Sequence, residues 1–107
     1  MIQVLFELAG KRYGVEVLGK IVLFYEFSSL QKATIDGLQL NYEGTIKEFP
    51  DLKDNSDWRN IAIQRFKEHI KSLPTEDERV EYIIEDLRKW GYKPLFKQKK
   101  GFRPERI

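Results

Sequence analysis

Ile21–Phe27 reads IVLFYEF, a run in which Glu26 is the one residue that is neither apolar nor aromatic. A strand with one wet face alternates apolar and polar side chains, and this run barely does. Seven residues are too few for a stable free-standing helix, and β-branched and aromatic side chains suit a pleated strand. The run is therefore expected to be the central strand of an antiparallel sheet, covered on both faces by the rest of the chain.

Working outward, the flanking segments read as further strands. Ile2, Val4, Phe6 and Leu8 fall on one face and Gln3, Leu5 and Glu7 on the other. Ala9-Gly10-Lys11 is a turn, since glycine supplies the positive φ of a tight reversal. Tyr13, Val15 and Val17 repeat the alternation, and Gly19-Lys20 suits a type II′ hairpin. Ser28-Ser29 breaks the run on its other side. Residues 30–49 remain β-like, with Ala33 and Ile35 on one face and Leu40 and Tyr42 on another. Asp36-Gly37 between them is either a type I′ hairpin turn, the favoured reading, or a bulge in one long strand. Glu43-Gly44 reads as another turn and Ile46–Phe49 as a last short strand, ended by Pro50.

The period then changes from two to 3.6. Asp51–Asp57 (DLKDNSD) offers side-chain acceptors for the free N–H groups of a following helix. That helix is expected over about 57–73, with Trp58, Ile61, Ala62, Phe66, Ile70 and Leu73 as its apolar stripe and Ile63 beside it. Pro74 stops it. Thr75-Glu76-Asp77-Glu78 is a capping box that opens a second helix over about 76–90. Val80, Ile83, Ile84, Leu87 and Trp90 form its stripe, and Gly91 its stop. The short link makes the two helices an antiparallel hairpin. The expected fold is α+β: an antiparallel meander of four to six strands over about residues 2–49, packed against this helical hairpin, then a short extended basic tail. A chain of 107 residues suits a single domain, with the sheet at 1–49, the helical hairpin at 56–90 and the tail at 91–107.

Composition narrows the chemistry. With 41% hydrophobic and 34% charged residues the chain is globular rather than disordered. It has no cysteine, which excludes disulfides, thiolate metal sites and a cysteine nucleophile. Low Cys and Met with abundant Lys and Glu is found in proteins of hot environments, and chance produces it equally in a short chain. No apolar run approaches the roughly 18 residues of a membrane span. The N-terminus alternates like a strand and lacks a basic leader, so a soluble cytoplasmic protein without membrane attachment is expected.

Charge is unevenly spread. Residues 1–90 carry a net −3, whereas residues 91–107 set six cations against Glu105, a net +5. The tail interleaves Lys93, Lys97, Lys99, Lys100, Arg103 and Arg106 with Phe96 and Phe102. Cations hold phosphates and rings stack on unpaired bases, so these eight residues are the candidate nucleic-acid-binding set. The same tail also reads as a solubilising segment, or as one that pairs with the acidic body of another copy.

Catalytic signals are weak. The one histidine, His69, sits at the edge of a helical apolar stripe, a common place for a structural histidine. There is no Gly-x-Ser-x-Gly elbow, phosphate-binding glycine loop or His-Glu-x-x-His pair. Asp51, Asp54, Asn55 and Asp57 offer oxygen ligands, but without calcium-loop spacing, and helix capping accounts for them. Asp36, Glu43 and Lys47 are the residues a strand-borne nuclease site would draw on, without its compact Glu-x-Lys. No catalytic residue, metal site or cofactor is therefore assigned. The expected role is a small, non-enzymatic binding or adaptor domain acting through a protein partner or a second copy. Nucleic-acid binding through the tail is the alternative, and a carboxylate-based metal-dependent enzyme the third reading.

Overall fold

Alternation in the first two strands decides which side of the sheet is covered. The computed structural model describes residues 1–28, 31–35 and 38–107. Strands β1 (Ile2–Leu8), β2 (Lys11–Leu18), β3 (Ile21–Ser28) and β4 (Gln31–Ile35) come first. Helix α1 (Tyr42–Glu48), a 3-10 turn (Pro50–Leu52), α2 (Trp58–Ser72) and α3 (Glu76–Lys89) follow, and then β5 (Lys93–Lys99) and β6 (Glu105–Arg106). The strands form one antiparallel sheet in the order β4-β3-β2-β1-β5-β6. The fold is α+β, as expected, with the helical hairpin of α2 and α3 on one face of the sheet.

That face is the core. Ile2, Val4 and Phe6 of β1, Tyr13, Val15 and Val17 of β2 and Phe24 of β3 are buried there with Phe66 and Ile70 of α2 and Val80, Ile83, Ile84 and Leu87 of α3. Phe66 packs on Phe24 at 6.2 Å and on Trp90 at 5.0 Å, and Tyr92 meets Tyr13 edge-on at 5.4 Å. Each such large side chain removed from water stabilises the fold by roughly 1.5–3 kcal/mol. Of the other predicted stripe residues, Trp58 and Ala62 belong to a second cluster with Leu52, on which Leu40, Ile46, Phe49 and Ile61 pack.

Polar ties hold the helical layer in place. The Thr75 hydroxyl accepts from the Glu78 N–H at 3.1 Å, the expected cap of α3. Arg79, buried, donates to the Leu73 carbonyl at 2.8 and 3.1 Å and to the Gly19 carbonyl at 2.7 Å. Glu76 accepts from the Gly19 N–H at 2.7 Å. The start of α3 thus grips the β2–β3 turn, and the guanidinium gains partners that offset its desolvation.

Four expectations are corrected. IVLFYEF is a strand, but it is second from the edge and buried on one face only: Phe24 is buried, while Leu23 is 40% and Ile21 59% exposed. The tail causes this shift, because β5 adds to the far side of β1 and makes β1 and β2 the central pair. Residues 42–48 are a helix and not strands with a turn. Asn41 caps it by accepting from the Gly44 N–H, and Tyr42 packs edge-on against Trp58 at 5.1 Å. Asp57 precedes α2 without a side-chain cap; its carboxylate accepts from Asn60, and Asp51 pairs with Arg65. Finally, residues 102–107, which by sequence read as a loose terminus, are tied down, since β6 pairs with β5. The Asp36-Gly37 turn or bulge lies outside the described residues. Among the described residues no helix is long and apolar enough to cross a membrane.

Candidate functional site

The helices cover one face of the sheet and leave the other open. Register defines three rows of side chains across that open face. The middle row runs Arg106, Phe96, Leu5, Gly14, Tyr25, Thr34 from β6 to β4. On one side of it run Gln98, Gln3, Glu16 and Leu23, and on the other Lys93, Glu7, Arg12, Phe27 and Lys32. A purely wet sheet face would be polar throughout. This one carries Leu5, Leu23, Tyr25, Phe27 and Phe96.

Gly14 makes the face concave. A Cβ there would lie 2.6 Å from the Phe27 ring, so that ring rests directly over the Gly14 backbone. Glycine inside a strand marks such a close approach. With Phe27 and Tyr25 on one side and Phe96 and Pro104 on the other, the face forms a groove of about 440 Å³.

One carboxylate stands in the groove wall, and it is fully engaged. Glu16 accepts from Gln3 at 2.8 Å, from the Tyr25 hydroxyl at 3.1 Å and from Lys32. The Lys32 ammonium also lies 4.0 Å from the Tyr25 ring centre. Its hydrogen bond to Glu16 is the main cause that holds this carboxyl below its usual range, against the opposing effect of burial. Burial first, and then Glu16, push the Tyr25 phenol up. An ionised carboxylate held by three donors fixes the wall and orients Tyr25. With donors on both oxygens and its carboxyl held below the usual range, it is poorly placed to act as a base.

The tail residues proposed from sequence are divided by the pleat. Phe96 and Arg106 lie in the middle row of the open face, and Lys93 in the row beside it. Lys97 and Lys99 fall on the covered face opposite Val4 and Ile2, and pair with Glu81 and Asp77 of α3, each at 3.3 Å. Lys100, Phe102 and Arg103 occupy the turn at the groove's edge, where Phe102 is 69% exposed. The sequence reading missed Gln3, Leu5, Gly14, Glu16, Tyr25, Phe27 and Lys32. Two signals were present: an apolar Leu5 at an otherwise wet position, and a glycine inside a strand.

A second cavity, of about 450 Å³, is lined by Gly44, Lys47, Glu48 and Lys89 where α1 meets the end of α3. Asp86, 1% exposed, lies beside it with Lys89 Nζ at 3.6 Å. Burial, and then the Asp86 carboxylate, push Glu48 up to about 7. Burial and the same neighbour push the Tyr82 phenol up as well. Buried atoms of Thr45, Glu48, Asp86 and Trp90 have no hydrogen-bond partner among the described residues. Glu43 and Lys47, considered above for a strand-borne site, lie on α1, and Asp36 is outside the described residues. Among the described residues no three of His, Asp and Glu converge as metal ligands. His69 is exposed, its ring 4.3 Å from that of Tyr82. No family model, curated protein or solved structure matches this chain.

Proposed function

We propose that the chain is a non-catalytic binding domain and that the groove on the uncovered sheet face is its recognition surface. The observation that carries this reading is the set of apolar side chains, Leu5, Phe27 and Phe96, left exposed or half-exposed around Gly14 in the groove. Apolar and aromatic walls with a few fixed polar groups, in a volume of some hundreds of Å³, are typical of sites that take a partner's apolar or planar groups. Glu16, Tyr25 and Lys32 brace one another and so keep that wall rigid before a partner arrives, which lowers the ordering cost of binding.

Indole serves as a neutral planar probe. In protein with labelled Leu and Val methyl groups, indole is expected to shift the Leu5 signals saturably. Val17, Val80 and Leu87, buried on the covered side and outside the groove lining, should stay in place. Shifts confined to the buried Val17, Val80 and Leu87, or none at millimolar indole, would overturn the reading.

A further inference from the structure

Building on the groove as recognition surface, we propose that its occupant is a single-stranded nucleic acid. Unpaired bases stack on Phe96 and Phe27, with Tyr25, one face of which Lys32 covers, flanking them, and phosphates lie along the cations of the β5–β6 edge.

The rings are placed for this. Phe96 and Tyr25 stand in one row, three strand spacings or about 14 Å apart, with small Gly14 and Leu5 between them. Phe27 lies two residues along β3 from Tyr25 and covers Gly14. An aromatic face on an open sheet stacks bases whatever their identity. A duplex hides its base faces and cannot use it.

Charge points the same way. The open face sets Lys93, Arg12, Lys32 and Arg106 against Glu7 and Glu16, and Lys32 neutralises Glu16 directly. Lys100 and Arg103 add two cations from the adjoining turn. Of the six tail cations, Lys97 and Lys99 are held by α3, whereas Lys93, Lys100, Arg103 and Arg106 make no ion pair among the described residues. A second copy is a poorer occupant. A two-fold contact would oppose one concave face to another and one positive edge to its like.

The test is the anisotropy of fluorescein-labelled dT12 from 20 to 200 mM salt. Binding is expected at low salt, with log K against log salt sloping at about −3, the value for four cations on a single strand. Phe96→Ala should weaken binding roughly 5- to 150-fold, since each stacked base contributes on that scale. Phe96 is 41% exposed, so the fold should survive this change, and an unaltered melting curve verifies it. Arg103→Gln with Arg106→Gln should flatten the slope by about 1.4, and Lys97→Gln with Lys99→Gln should leave it unchanged. No binding of dT12 at 20 mM salt, or equal affinity for a duplex of that length, overturns the proposal. So does a slope that follows Lys97 and Lys99 instead of the arginines. If indole still docks in the groove while dT12 fails, the occupant is wrong and the recognition surface stands. A solution mass twice 12.8 kDa that Phe96→Ala halves would identify a second copy as the occupant and overturn the proposal equally.

Discussion

Glu48 is a residue whose protonation bears on the fold. Its carboxyl is withdrawn from water beside Asp86, and burial and that like charge together push it up to about 7. An unfolded chain returns it to an ordinary value near 4.5. A carboxyl raised on folding lends its stability fully below the unfolded value. That contribution drains away as pH rises through the folded one. Lys89, 3.6 Å from Asp86, relieves part of the repulsion. The wild-type melting temperature should therefore lose ground to that of Glu48→Gln as pH rises from 4.5 to 7, and the difference should then level off. A difference constant across that window would show that Glu48 titrates normally. Glu16 has the opposite sign: its lowered pKa adds stability above its ordinary range that is lost in acid.

At the scale of elements, α1 shows where local sequence stops deciding. Its residues, YEGTIKE, include Tyr, Gly, Thr and Ile, all modest helix formers, and they alternate well enough to pass for strand. Two tertiary contacts decide otherwise. Tyr42 and Ile46, four residues apart, meet the Trp58 cluster from one side of a helix, and Gly44 lies against the end of α3. A Cβ on Gly44 would stand 2.9 Å from the Lys89 carbonyl oxygen, a backbone atom that cannot swing aside. Gly44→Ala should cost about 1–3 kcal/mol in a denaturant titration, the range for overpacking a close contact. A cost within error would mean that α1 is free to slide. By contrast β1, β2, α2 and α3 were legible, because Val4, Val15, Phe66 and Ile83 each sit on a stripe of constant period. The capping of α3 by Thr75 was legible too, since all its parts lie within four residues. Residues 92–97 read as an extended piece able to add to a sheet edge, but that its partner is β1 did not show, as residues 2–7 and 93–99 meet only through the fold.

Across the whole molecule, the missed pairing also explains how much of the site could be read. The tail supplied Phe96, Arg106 and the turn cations, which sequence singled out for their composition. It could not show that the pleat turns Lys97 and Lys99 toward the acidic residues of α3. Nor could it show that Leu5, Gly14, Tyr25 and Phe27, from three other strands, complete the same surface. One layer of helices covers one side of six strands, and the groove on the other side is the working face we propose. Ultraviolet cross-linking of dT12, with the modified residues located by mass spectrometry, tests this most directly. Adducts are expected on Tyr25, Phe27 and Phe96. Adducts on Trp58, His69 or Tyr82 of the helical layer, with none on the open sheet, would contradict it.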